Sequence, residues 1–163
     1  MRYFFSCLLL VWIFVCAQAQ AAPSILDMPL PDLQGQTHHI SKWKGKIVVV
    51  NIWATWCPPC REEIPAFIRL QEQLMQKNVQ FVGIAVDDKN PVADFTHAYG
   101  INYPILLGGN ETMMLLRLYG NRMGVVPQTL IFDPNGQLVI SHIGLLEEKE
   151  LLDYLKPLFK ASL

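Results

Sequence analysis

Apolar and polar positions fall into blocks along the chain, and each block predicts an element. Lys46 to Ala54, "KIVVVNIWA", is a nearly unbroken apolar run rich in β-branched residues, the pattern of a strand buried on both faces. After it, Ile64, Phe67, Ile68, Leu74 and Met75 recur at helical spacing, so a helix is expected to open at Cys60. Pro65 stands inside that helix and should bend it, because proline removes one backbone donor. "VQFVGIAVDD", Val79 to Asp88, predicts a second buried strand, parallel to the first through a right-handed crossover. Asp94 to Tyr99 predicts a short helix, Tyr103 to Leu107 a short strand, and Leu115 to Tyr119 a helical stretch before the loop Gly120 to Gly124. Two strand runs then flank Asp133-Pro134-Asn135-Gly136, a hairpin signal. Glu147 to Phe159 predicts a closing helix with Leu151, Leu152 and Leu155 facing inward. Ahead of all these, Ala22 to Gly45 carries short extended pieces around Leu33-Gln34-Gly35-Gln36, read as an added hairpin.

The first residues follow a different pattern. Arg2 precedes an apolar run from Tyr3 to Ala17, and Ala17-Gln18-Ala19 and Ala19-Gln20-Ala21 offer small side chains at the spacing a signal peptidase reads. The run is shorter than the roughly 20 residues that span a bilayer as a helix. Residues 1–21 are therefore read as a signal peptide, with an uncleaved membrane anchor as the alternative, and residues 22–163 as the domain. Phe14 and Val15 before Cys16 are too large for the usual lipidation signal. Each outcome places the domain outside the cytoplasm, in the periplasm, touching the membrane only if the segment is retained.

Composition narrows the function classes. With 163 residues, 52% hydrophobic and 17% charged, the chain suits one globular domain plus an accessory segment. A formal net charge of −1 leaves no electrostatic footprint for nucleic acid.

The cysteines change the picture most. Cys7 and Cys16 lie in the leader, so its removal leaves only Cys57 and Cys60, spaced as C-P-P-C. A zinc site needs two more ligands, and His38, His39, His97 and His142 show no ligand spacing. A structural bridge across so short a loop removes little chain entropy. A lone CxxC in an oxidising compartment points to a dithiol that cycles with its own disulfide, with no further cofactor and no metal.

Strand, CxxC, helix, parallel strand, then a terminal hairpin and helix is the thioredoxin arrangement: an α/β fold with a mixed central sheet flanked by helices. Pro127 follows Cys60 by 67 positions, whereas a β–α–β unit takes about 30 residues. An extra helix and strand are expected as a central insert.

The strings "NIWATWCPPCREEIP", "VGIAVDD", "VVPQT" and "FDPNGQLV" together resemble the TlpA/ResA-like family of extracytoplasmic thiol–disulfide oxidoreductases, over nearly the whole chain after Ala22. The resemblance implies a thioredoxin fold with an N-terminal hairpin and a central insert. It implies delivery of reducing equivalents to oxidised protein thiols in the periplasm, often for cytochrome c assembly or copper-site maturation, with re-reduction by a membrane thiol–disulfide reductant. The cytochrome-maturation branch commonly carries an acidic residue directly after the family's cis-proline, and Gln128 stands there instead.

Cys57, at a helix N-terminus where unpaired donors and the dipole stabilise a thiolate, is the expected nucleophile, and Cys60 the resolving thiol. Glu63 resembles the family's acidic residue and lies one helical turn beyond Cys60. Plain thioredoxins carry an aspartate six positions before the first cysteine. Asn51 occupies that position and cannot take up a proton, which leaves Glu63 as the candidate base and Glu62 as a solvated neighbour. Trp56 is expected to cover the nucleophile, for packing or for recognition. By resemblance Pro127 is the cis-proline, leaving the Val126 backbone free to pair with an extended substrate.

Two other readings are weaker. A peroxide-reducing relative would carry threonine three residues before Cys57, where Ala54 stands. A copper-handling module using the two thiols as soft ligands would need a further ligand that no motif supplies. Pro58 and Pro59 bear on direction. They withhold the first backbone donors of the helix from Cys57, which predicts weak thiolate stabilisation and a protein that gives electrons away.

Overall fold

The computed structural model describes residues 23–161, so the predicted leader lies outside the described residues. The elements are β1 (Leu30–Pro31), β2 (Thr37–His38), β3 (Ile47–Trp53), α1 (Pro58–Leu74), β4 (Val79–Ala85), α2 (Lys89–Tyr99), β5 (Ile105–Leu107), α3 (Asn110–Leu115), β6 (Gln128–Phe132), β7 (Leu138–Ile143) and α4 (Glu148–Ala161). Strands β5-β4-β3-β6-β7 form one sheet in that spatial order. β3 runs parallel to β4 and β4 to β5, while β6 is antiparallel to both β3 and β7. This is the mixed sheet of a thioredoxin fold.

The continuous apolar pattern of β3 has a direct cause: every one of its residues is buried. Val49 and Trp53 face the core built with Ile64, Phe67 and Leu70 of α1 and Leu151 and Leu155 of α4. Val48, Val50 and Ile52 face the opposite core, closed by Ile25, Leu26, Leu30, Ile40 and Leu116. The predicted N-terminal hairpin is present, with Leu30 opposite His38. Its segment covers the second face of the sheet, and Asp32 bridges to Leu106 at the β5 edge.

The central insert between Cys60 and Pro127 supplies α2, β5 and α3, the last continued by a 3-10 turn over Leu116–Tyr119. Two boundaries differ from the sequence reading. α2 begins at Lys89 rather than Asp94, because Pro91 falls in its first turn, where no N–H is needed. α1 opens at Pro58 rather than Cys60, for the same reason: Pro58 and Pro59 occupy the first two helical positions. The helix then runs uninterrupted through Pro65 to Leu74.

Candidate active site

β3 ends at Trp53, and the chain turns through Ala54, Thr55 and Trp56 into α1. Trp53 anchors the turn: it is fully buried and packs on Phe95 with ring centroids 5.1 Å apart. Its indole also lies over Gly83, where an added Cβ would come within 2.6 Å of Ile105 and 2.9 Å of Trp53 Nε1. The turn is held as well from the segment that follows β4. The carboxylate of Asp87 accepts from the Thr55 backbone N–H at 3.1 Å and from the Thr55 hydroxyl. Burial opposes ionisation of Asp87, but the hydrogen bonds from Thr55 and from the Asp88 N–H outweigh it and hold the carboxyl below its ordinary value.

Cys57 is the N-cap of α1 and is disulfide-bonded to Cys60. Both cysteines are buried, Cys57 at 3% exposure. The Cys60 N–H donates to Cys57 Sγ at 3.3 Å. With prolines at the two intervening positions, it is the first helical amide that reaches this sulfur.

Facing the sulfur is the turn Val125–Val126–Pro127. The Val126–Pro127 peptide is cis, and the Val126 carbonyl oxygen lies 3.6 Å from Cys57 Sγ, placed to accept from the thiol in the reduced form. Among the described residues the Val126 backbone makes no hydrogen bond to another backbone group. Trp56 is 66% exposed, so it flanks the motif and does not seal it. It lines a 660 Å³ groove with Val126, Asp87, Gly108, Met113 and Val125.

Glu63 points inward and is 2% exposed, whereas Glu62 is exposed. Glu63 Oε1 accepts from Asn51 Nδ2 at 2.7 Å, and Oε2 from the Leu146 N–H at 3.0 Å. Burial pushes the Glu63 carboxyl up to about 7, against the lowering pull of Leu146 and Asn51. A proton acceptor poised near neutrality, one turn beyond the buried cysteine, suits a dithiol that must lose protons to react. The four histidines are engaged elsewhere or lie outside the site: His38 pairs with Asp32 at 2.6 Å, and His142 contacts the Leu145 carbonyl at 3.1 Å. Among the described residues no group of three or more His, Cys, Asp or Glu could hold a metal ion.

Sequence reasoning missed the groups that hold the turns. Asn121 donates to the Val125 carbonyl at 2.7 Å and to Gln128 Oε1 at 3.0 Å, and accepts from the Val125 N–H at 3.0 Å. Gln128, fully buried, donates in turn to the Tyr119 carbonyl and to Ser141 Oγ. Gln128 therefore braces the turn from behind. Asp87 stands in "VGIAVDD", and nothing in the sequence alone ties it to the CxxC motif.

The chain is similar to known proteins in sequence and in fold. Residues 19–141 match the AhpC/TSA family. The thiol–disulfide oxidoreductase ResA of Bacillus subtilis (strain 168) is 31% identical over 127 residues, covering 77% of this chain and 69% of that protein. Among solved structures, a secreted thiol–disulfide isomerase from Corynebacterium glutamicum superposes with a TM-score of 0.74 at 26% identity, covering 82% of this chain and 84% of that one. The pneumococcal exposed lipoprotein thioredoxin Etrx1 from Streptococcus pneumoniae gives 0.64 at 28% identity, covering 81% and 99%. The chain belongs to the AhpC/TSA family of the thioredoxin superfamily and is a ResA-like thiol–disulfide oxidoreductase.

Proposed function

We propose that this oxidoreductase works outside the cytoplasm, in the periplasm, as a reductase of protein disulfides. In this reading a membrane thiol–disulfide reductant keeps its dithiol reduced, and cytochrome c or copper-site maturation is a candidate destination for the electrons. The single observation that carries the direction is the capping of Cys57. The thiolate draws on the Cys60 amide, while the two positions between offer no N–H. No basic side chain stands between the cysteines to add charge. A weakly stabilised thiolate makes the dithiol a better donor. The apolar, signal-like segment before Pro23 and the secreted or exposed character of the two solved relatives support the location.

The reaction balances with the residues present, and the Cys57–Cys60 couple itself carries the electrons. Cys57 thiolate attacks one sulfur of the partner's disulfide, forming a mixed disulfide and releasing the first partner thiolate. Glu63 takes the proton of Cys60, and the Cys60 thiolate then attacks Cys57 Sγ. The second partner thiolate leaves, the partner has gained two electrons, and the Cys57–Cys60 bond is formed. Trp56 and the Val126–Pro127 turn present the groove in which the partner's segment lies against Cys57, the Val126 backbone being free to pair with it.

The experiment is capture in the periplasm with a Cys60→Ser variant, which stops the cycle at the mixed disulfide. Adducts to proteins that carry disulfides are the expected result. Capture confined to disulfide-forming oxidases would reverse the direction. The peroxide-reducing alternative is not favoured by the geometry, since the Thr55 hydroxyl is committed to Asp87.

A further inference from the structure

The buried acid has a buried partner with an atom to spare. Asn51 is 1% exposed, and its Nδ2 donates to Glu63 Oε1 at 2.7 Å and to Thr129 Oγ1 at 3.3 Å. Its Oδ1 is buried with no hydrogen-bond partner among the described residues. A carboxylate is acceptor-only, so the present arrangement serves the ionised form of Glu63. Leu146 can only donate, and it fixes Oε2 as an acceptor. A proton arriving on Glu63 is therefore best held on Oε1, where its O–H would face the Nδ2 donor and lack an acceptor.

We propose that Asn51 is a positioning residue for the proton step: its amide presents N–H to the Glu63 carboxylate and turns over to present Oδ1 when Glu63 becomes protonated. The turn is a rotation of about 180° about the terminal torsion, which is broad and roughly two-fold for asparagine. It brings the spare acceptor to the place Nδ2 now occupies, within hydrogen-bond reach of the acid O–H. Thr129 can follow, because a hydroxyl both accepts and donates. The exchange leaves the Nδ2 group where Oδ1 is now unpartnered, so two orphaned states of similar cost are compared. The new bond from the acid O–H decides between them.

Asparagine at this position thus does what aspartate could not. It adapts to both charge states of its neighbour without competing for the proton, whereas two carboxyls sharing a site would drive their titrations apart. The other titratable groups around Glu63 lie on several elements. Cys57 and Cys60 stand at the start of α1, and Tyr103 precedes β5. Glu62, Arg69, Glu147 and Glu148 line a 310 Å³ cavity with Glu63 on the side of α4. Arg69 and Glu148 neutralise one another there at 2.6 Å. Burial, then the charge of Glu63, keeps the Tyr103 phenol neutral.

This inference rests on Glu63 being the proton acceptor, and its test is separable from that reading. In the disulfide form, whose cysteines do not titrate, the Glu63 carboxyl carbon and the Asn51 side-chain amide are followed by NMR through neutral pH. The expected result is that the Asn51 δ2 protons lose their NOE contacts to Glu63 on the acid side, with the same midpoint as the Glu63 carbon. In Glu63→Gln the Asn51 signals should no longer change with pH. Asn51→Ala should raise the Glu63 midpoint by less than the ~1–2 units that a hydrogen bond to the charged form alone would be worth, because the turned amide also bonds the neutral acid. Constant NOE contacts through the titration would overturn the proposal, as would a midpoint in folded Asn51→Ala raised by the full ~1–2 units, which would mean that the amide serves the ionised form alone. Failure of the base reading shows elsewhere, as an unchanged pH profile of Cys57 alkylation in reduced Glu63→Gln.

Discussion

The backbone N–H of Leu146 donates to Glu63 Oε2 at 3.0 Å across 83 positions of sequence. The segment leading into α4 thereby fixes the Glu63 carboxyl, and docking of the last helix is coupled to a buried acid of the first. Leu146 is itself 1% exposed, so this amide has no water to turn to if the carboxyl is removed.

Glu63→Gln should therefore keep the fold and change its response to pH. The Glu63 carboxyl is raised to about 7 in the folded protein from an ordinary 4.5. A raised carboxyl pKa means the folded state prefers the neutral acid. Stability from this group is full below pH 4.5 and is lost as pH rises through 7. The loss is on the order of 3 kcal/mol for a shift of this size. Glu63→Gln should remove this dependence, so the variant gains on the wild type between pH 5 and 8. Denaturant unfolding of both oxidised proteins across that range measures the difference. Parallel pH curves would mean that Glu63 titrates normally in the folded protein.

Asp87 is expected to matter although it touches neither sulfur. It accepts from both donors of Thr55, two residues before Cys57. Asp87→Ala leaves the Thr55 N–H without its partner and loosens the turn that aims Trp56 and Cys57. The cost should be about 1–3 kcal/mol in stability, with slower exchange against a small disulfide. Thr55→Val, which removes the hydroxyl alone, should cost less than Asp87→Ala. Equal stability and exchange rates in wild type and Asp87→Ala would show that the turn is held without it.

These cases show where the sequence was legible. β3 was visible because a strand buried on both faces must be apolar at successive positions, and the dithiol because Cys57 and Cys60 are the only cysteines after the leader-like segment. Glu63 was named by its resemblance to the family's acidic residue together with a spacing of one helical turn beyond Cys60, while its burial and its partners Asn51 and Leu146 come only from the fold. α1 starts two residues earlier than the sequence suggests, because the apolar period of the helix begins at Ile64 and prolines read as breakers even where the first turn accepts them. Asp87, Asn121 and Gln128 left no periodic signal at all. Their role is to bond loop backbone or neighbouring side chains, across 32 positions for Asp87 and Thr55 and 4 for Asn121 and Val125. Only the folded chain brings those groups together.

Asn121→Ala should separate the two halves of the reaction. Asn121 clamps both the N–H and the carbonyl of Val125, next to the Val126 backbone proposed to meet the substrate. Freeing the turn makes ordering it part of the cost of binding an extended partner. Reduction of a protein disulfide such as that of insulin should fall by about tenfold in kcat/KM, equivalent to ~1.4 kcal/mol. Exchange with a small disulfide, which does not use the turn, should change much less. An equal fall for both substrates would assign Asn121 a general structural role.

Direction can be tested at the two prolines themselves. Cys57 caps a helix whose first two residues have no N–H, and the Cys60 amide at 3.3 Å is the donor that reaches its sulfur. The reduced, thiolate form is therefore stabilised by fewer donors than an ordinary helix N-terminus offers. Since the potential rises as the thiolate is stabilised, the wild type should lie below about −200 mV, nearer thioredoxin than the strong oxidants. Pro59→Ala restores one N–H without charge and should raise the potential modestly. Pro59→His restores the N–H and adds a side chain that can carry positive charge beside the sulfur, and should raise it further. The combined gain should be at least about 30 mV, equivalent to ~1.4 kcal/mol for two electrons. The order wild type, Pro59→Ala, Pro59→His is the informative result, because it separates the missing amide from the missing charge. Equilibration with glutathione buffers reads all three. A wild-type value near about −120 mV would place the protein among disulfide-forming oxidants, and an unmoved potential in both variants would show that the prolines do not set it.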